Sequence, residues 1–384
     1  MRKRVCLAAG SSLLAATISL FGAAASASAG TGSPVVGYTY VNDNTAGANT
    51  VAGFDRHADG SLTPIPGSPF AVGGAGLGAG LGSQGAIQAT RHGKYLLAVD
   101  AGSNQISVLR VTAGGVPVPV GPPVSSGGAE PVSIAVHHGL VYVANTGTGG
   151  SNYTGFRLGH GGSLTPIPGS TVAVPAGSGL GDVFFNSTGT RLVGTRGTSS
   201  MIDSFVVLPS GRLVTAPGSP YTGQGLGQIG AEFNPVRPWQ VFVSNAHNGA
   251  GLGTVSAYRD GFLGQLASIG SSPYADGQTA PCWVEISHDG RYLFTVNTGS
   301  GNISSYSINR DGSLTLIGSF TITGGGADTD ARLSPDGRTL SVTGSGMHFV
   351  SVFAVNGGNL TELASSPTPL PAGSAPVGIA VIDR

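Results

Sequence analysis

Charged side chains are scarce in this 384-residue chain, at 9% of the total, so their positions carry information. Asp182, Glu232, Glu285, Asp330 and Arg332 fall at matching points of a repeated pattern, with Gln88 at the equivalent point of an earlier repeat. Carboxylates held near one another raise each other's pKa, which suits one of them to act as a general base on water. A guanidinium beside them can hold a carbonyl or carboxylate oxygen while charge develops on it. The same group could bind a small polar or cationic ligand, or Ca²⁺ through carboxylate oxygens, although no cofactor is required. The plain structural alternative is that these charges pair with one another along a wet channel.

The elements that hold these residues are short strands. Side chains alternate along a strand. Aligned on their following turn, the pairs Ile87/Ala89, Val183/Phe185, Ala231/Phe233, Val284/Ile286 and Ala331/Leu333 form one apolar parity. The other parity holds Gln88, Asp182, Phe184, Glu232, Glu285, Asp330 and Arg332. Strands of this kind, bounded by Gly, Pro, Asn and Asp clusters, run through the whole chain, and no window carries a helical apolar stripe. Gly is 66 of 384 residues and Pro is 24, yet 40% of the chain is hydrophobic and ordered by the repeat.

The repeat has two markers. Gly-x-Leu/Val occurs at Gly60, Gly114, Gly162, Gly211, Gly261, Gly312 and Gly358. A β-branched or aromatic residue followed three positions later by a large apolar one gives Val51/Phe54, Ile106/Leu109, Tyr153/Phe156, Ile202/Phe205, Val255/Tyr258, Ile303/Tyr306 and Val350/Phe353. Both count seven, at the spacing of roughly 50 residues expected of one four-stranded propeller blade. The prediction is an all-β, seven-bladed propeller with four antiparallel strands per blade. Val35–Tyr40 reads as the second strand of a blade, and the run from Val377 to Ile382 as the inner strand that completes it and closes the ring.

Two late repeats carry more specific wording: Ile286-Ser287-His288-Asp289-Gly290-Arg291-Tyr292-Leu293, with its strand ending at Asn297, and Leu333-Ser334-Pro335-Asp336-Gly337-Arg338. This turn and the strands after it resemble the lactonase-type propellers, a family spanning 6-phosphogluconolactonases, carboxymuconate cyclases and YVTN-repeat surface proteins. The resemblance covers essentially residues 30–384. It implies hydrolysis or cyclisation of a small lactone or carboxylate at the central channel. It also implies that Asp182 and Arg196 are site residues, because Gly181-Asp182-Val183 and Gly194-Thr195-Arg196-Gly197 match the family's pattern. Gly85-Ala86 and Ile229-Gly230 stand where that pattern has His-containing pairs. The catalytic candidates are therefore Glu232, Glu285, Arg332, Asp182 and Arg196, with Gln88 and Asp330 as ligand-binding candidates and no metal ligand. The competing reading is a non-catalytic propeller that binds a small molecule, a wall component or another protein, or a surface module of the YVTN type.

Residues 1–29 read as a signal peptide, with Arg2-Lys3-Arg4, an apolar stretch and Ala27-Ser28-Ala29, leaving residues 30–384 as one exported domain. The full sequence has 18 basic and 18 acidic residues, and losing those three bases makes the remainder net acidic, which argues against a nucleic-acid partner. No other segment could span a membrane. Cys282 alone remains as a thiol and is expected to be buried, the protein to be monomeric, and the partner to be a small polar molecule or an extracellular one. Gly225-Leu226-Gly227-Gln228-Ile229-Gly230 spells GxGxxG, but no helix follows, so it reads as a loop between blades. His137-His138 reads as a pair of solvated turn residues.

Overall fold

A computed structural model describes residues 32–346 and 348–384. Residues Ser33–Arg384 make one compact unit, and the signal peptide expected over residues 1–29 lies outside the described residues. Seven antiparallel sheets form the seven blades. Blade 1 has Val377–Asp383 as its inner strand, followed outward by Val35–Asn42, Thr50–His57 and Leu62–Pro64. The inner strands of blades 2 to 7 are Ile87–Ala89, Pro131–His137, Leu180–Phe185, Gln228–Phe233, Pro281–Ile286 and Asp328–Leu333. Each inner strand packs beside the next, and Val377–Asp383 touches those of both blade 7 and blade 2. Its register against Val35–Asn42, with Tyr40 opposite Ala380, joins the two ends of the chain within one sheet.

Seven apolar layers lie between the blades. Tyr153, Phe185 and Phe205 pack between blades 3 and 4, and Trp283, Phe294 and Phe353 between blades 6 and 7. Every blade is thus covered on both faces, which is why no sheet could keep its apolar surface dry without its neighbours.

The outer strands depart from the expected simple four. In six blades the outermost strand is two short pieces that pair with the same neighbour, such as Leu62–Pro64 and Phe70–Ala71 on Thr50–His57. The six interrupted edges all contain proline, which lacks the N–H a ladder needs. Blade 6 has no proline there, and its outer strand runs unbroken over Leu314–Thr321.

Candidate functional site

The inner strand of each blade has one free edge, and its N–H groups need acceptors wherever water is excluded. The acidic parity supplies many of them, each blade acting on the next. Asp182 Oδ2 accepts from the N–H of Ala231 at 2.9 Å, and Asp330 Oδ2 from that of Ile379 at 3.1 Å. Glu232 Oε2 accepts from the N–H of Ile286 at 2.7 Å, and Glu285 Oε1 from that of Leu333 at 2.8 Å. Ser133 does the same for Val183 at 3.1 Å and donates its hydroxyl to Asp182 Oδ1 at 2.9 Å.

At the position of Ser133, Asp182 and Asp330, blade 5 has Gly230, which has no side chain to accept from the N–H of Val284. Gln84 does so from across the axis. Its Oε1 accepts from the N–H of Val284 at 3.2 Å, its Nε2 donates to Val284 O at 3.0 Å, and its own N–H donates to Gly181 O at 2.9 Å. Ser83 Oγ adds a bond to Val132 O at 2.9 Å. The segment before the inner strand of blade 2 therefore bridges blades 3, 4 and 6 and closes the channel at the end where the inner strands begin. A Cβ at position 230 would overlap Gln84 Oε1 and the Cys282 carbonyl, so the bridge requires that glycine.

The channel stays open at the other end, where the inner strands finish. One lobe, of about 250 Å³, is lined by Gln88, Val136, His137, Phe184, Glu232 and Arg332 among others. A second lobe, of about 450 Å³, shares Gln88 and Arg332 and continues past Arg91, His92 and Arg384. Glu232, Arg332 and Gln88 are thus brought together as the sequence suggested. Asp182, Glu285 and Asp330 are buried beside the cavity without lining it. Arg332 Nη1 bonds Glu285 Oε2 at 3.1 Å, its guanidinium lies 5.6 Å from the Trp283 ring, and its Nη2 has no hydrogen-bond partner among the described residues.

The structure does not bring Arg196 to this cavity. It ends the second strand of blade 4, where Nε and Nη2 bond the two oxygens of Asp203 at 2.6 and 2.5 Å. Tyr153 OH donates to the same carboxylate at 2.8 Å. The corresponding strands of blades 2, 3, 5 and 6 end in Asp100, Asn145, Asn245 and Asn297, each bonded to the neighbouring strand's side chains. Arg196 with Asp203 is a larger version of that tie, its guanidinium saturated by a bidentate partner.

His137 is the residue that the sequence reading placed elsewhere. It is the last residue of blade 3's inner strand, half-buried and lining the cavity, rather than a solvated turn residue. His138, exposed and in a left-handed conformation at φ 51°, takes the turn. The two rings meet edge to face at 4.4 Å. His137 pairs with Leu140 across the hairpin, so the turn is confined to His138 and Gly139, one residue later than the sequence suggested.

Burial dominates the electrostatics. It pushes Asp182 up to about 7 and raises Glu285, while Glu232, with Glu285 nearby, and Asp330 are held well above the usual carboxylate range. One guanidinium cannot balance four buried negative charges, which is why all four acids are raised. Burial lowers His137, helped by His138 and Arg91, which keeps its imidazole neutral. Cys282 is buried, as expected, with its thiol pushed up to about 12. Among the described residues no three His, Cys, Asp or Glu side chains converge as a metal ion would need. The carboxylates spread instead over separate N–H groups.

Residues 239–380 match the family model described as Lactonase, 7-bladed beta-propeller. A Pseudomonas aeruginosa periplasmic gluconolactonase is 16% identical, with 90% of this chain and 99% of that one covered and a TM-score of 0.72. A Lactobacillus plantarum protein is 18% identical over 90% and 99% of the two chains, at 0.70. A Bacteroides fragilis candidate 6-phosphogluconolactonase is 18% identical over 91% and 98%, at 0.69. No curated protein matches the chain in sequence.

Proposed function

We propose that this lactonase-type seven-bladed propeller hydrolyses a small lactone in its blind central cavity. The observation that carries the reading is that Glu232, Arg332 and His137 open into one lobe while the neighbouring acids are committed to clamping the blades. The raised pKa of Glu232 makes it an acid rather than the base its residue type suggested. His137, neutral at pH 7, takes a proton from water as the oxygen adds to the lactone carbonyl. The guanidinium of Arg332, which lines the lobe, donates to the carbonyl oxygen as it gains charge. When the ring C–O bond breaks, Glu232 gives its proton to the leaving oxygen, and water returns the proton from His137 to Glu232. The leader read in residues 1–29 makes this an exported activity, for which protein recovered from the medium would begin at Gly30.

A pH-stat assay over a panel of lactones tests the reading. Activity should persist below pH 6.5, because His137 is lowered, and fall only well above the ordinary Glu range. His137→Gln should remove the acid limb and slow turnover by about 10²-fold or more. A second reading, a binding propeller without chemistry, is favoured by one observation: most of the acids serve as clamps. Saturable ligand binding with no turnover of any lactone would select it.

A further inference from the structure

The two lobes of the cavity differ in chemistry, and the difference specifies the ligand more closely than lactone alone. The smaller lobe has one apolar side, where Val136, Phe184 and Pro235 are half-exposed over buried Ile134 and Phe233. The lobe also has polar lining residues, Gln88, His137, Asn186, Ser187, Glu232 and Arg332, so a polyhydroxylated ring would lack partners for the hydroxyls that face the apolar side. The larger lobe has the arginines Arg91 and Arg384 at its rim near the shared Arg332. Its one acidic residue, Asp383, is tied to Arg56 at 2.8 Å. Cations grouped this way are uncommon in a chain with 9% charged residues.

We infer that the site takes an amphipathic anion: a molecule with an aromatic or branched aliphatic body in the Phe184 lobe and a carboxylate in the Arg91 lobe. This rests on the proposed site but not on turnover there. The reacting group would sit between the lobes, beside Arg332 and Glu232. A sugar-acid lactone has hydroxyls where this wall is apolar, and inorganic phosphate fills only the cationic half.

Calorimetric titration of the intact protein tests this with four probes: 4-phenylbutyrate, 4-phenylbutanol, gluconate and inorganic phosphate. The expected result is that 4-phenylbutyrate binds at least about tenfold more tightly than each of the other three. Arg91 is exposed, so Arg91→Ala should fold normally; it should weaken 4-phenylbutyrate severalfold and leave 4-phenylbutanol unchanged. Phe184→Ser should weaken both aromatic probes, and Val136→Thr serves in its place if that variant does not fold. Gluconate or phosphate binding as tightly as 4-phenylbutyrate, no binding of 4-phenylbutyrate, or unchanged affinity in Arg91→Ala would overturn the inference. Because binding is read without chemistry, the inference can fail while lactone hydrolysis stands, and hydrolysis can fail while amphipathic binding stands.

Discussion

Blades 4 and 7 start from the same wording and end in different roles. Asp182-Val183-Phe184 and Asp330-Ala331-Arg332 occupy equivalent places on their inner strands, with Asp182 opposite Thr195 and Asp330 opposite Thr343. In both, the aspartate accepts from a backbone N–H of the following blade. Two residues on, the side chain enters the cavity, as a phenyl ring from one blade and a guanidinium from the other. In these two blades the upper position of this parity builds the ring and the lower one furnishes the site, whereas the glutamates at the lower position of blades 5 and 6 also clamp the next blade. At the end of the second strand the blades differ again, since Arg196 is tied to Asp203 whereas blade 7 has Gly344.

The largest effect should come from the strand that Asp330 clamps. Deleting residues after Pro376 removes the inner strand of blade 1 and strips the apolar layers on both its sides. Cooperative unfolding should be lost, as read by near-ultraviolet circular dichroism during melting; an unchanged melt would break the ring-closure account. Next, Arg196→Ala leaves Asp203 buried without its cation. It should cost about 3–5 kcal/mol in denaturant unfolding, with kcat/KM of the folded fraction unchanged. A selective loss of turnover would instead return Arg196 to the site.

The two aspartates should then separate. Asp182 satisfies three donors, from Ser133, Val183 and Ala231, whereas Asp330 satisfies the N–H of Ile379 and leaves Oδ1 unpartnered. Asp182→Ala should cost about 3 kcal/mol and Asp330→Ala about 1 kcal/mol, from the donors left unsatisfied. Equal losses would show that the register position, not the bonding, sets the effect. The smallest effect is in pH. Asp182 has its folded pKa raised from 3.8 to about 7, so its contribution is fully present below pH 3.8 and is lost as pH rises to about 7. The stability difference between wild type and Asp182→Asn should shift in that direction over that window, and a difference independent of pH would count against burial as the cause.

The ring was legible because each blade repeats its apolar markers under the same packing demand, and two such markers both count seven. The broken outer strands were less so, since their prolines read equally well as turns. Among the site residues, alternation placed Glu232, Arg332 and Gln88 at the cavity and correctly grouped the other acids on the axial side. It could not show that Asp182, Glu285 and Asp330 are committed to N–H groups of the next blade, because those partners lie about a full repeat away. The bridge by Gln84 was invisible for the same reason: Gln84 and Val284 are 200 residues apart. His137 was misplaced because its neighbour His138 does occupy the turn, and one residue of strand length separates cavity from solvent.

The division between clamp and site residues meets its most direct test at Glu232, which does both. One carboxylate oxygen holds the N–H of Ile286, and the residue lines the lobe beside Arg332. Gln keeps an acceptor for that N–H but has no proton to give a leaving oxygen. Measured together, lactone kcat/KM and unfolding free energy of Glu232→Gln should show turnover lowered by about 10²-fold or more with stability changed by less than about 1 kcal/mol. A stability loss of several kcal/mol with turnover per folded molecule intact would contradict the account.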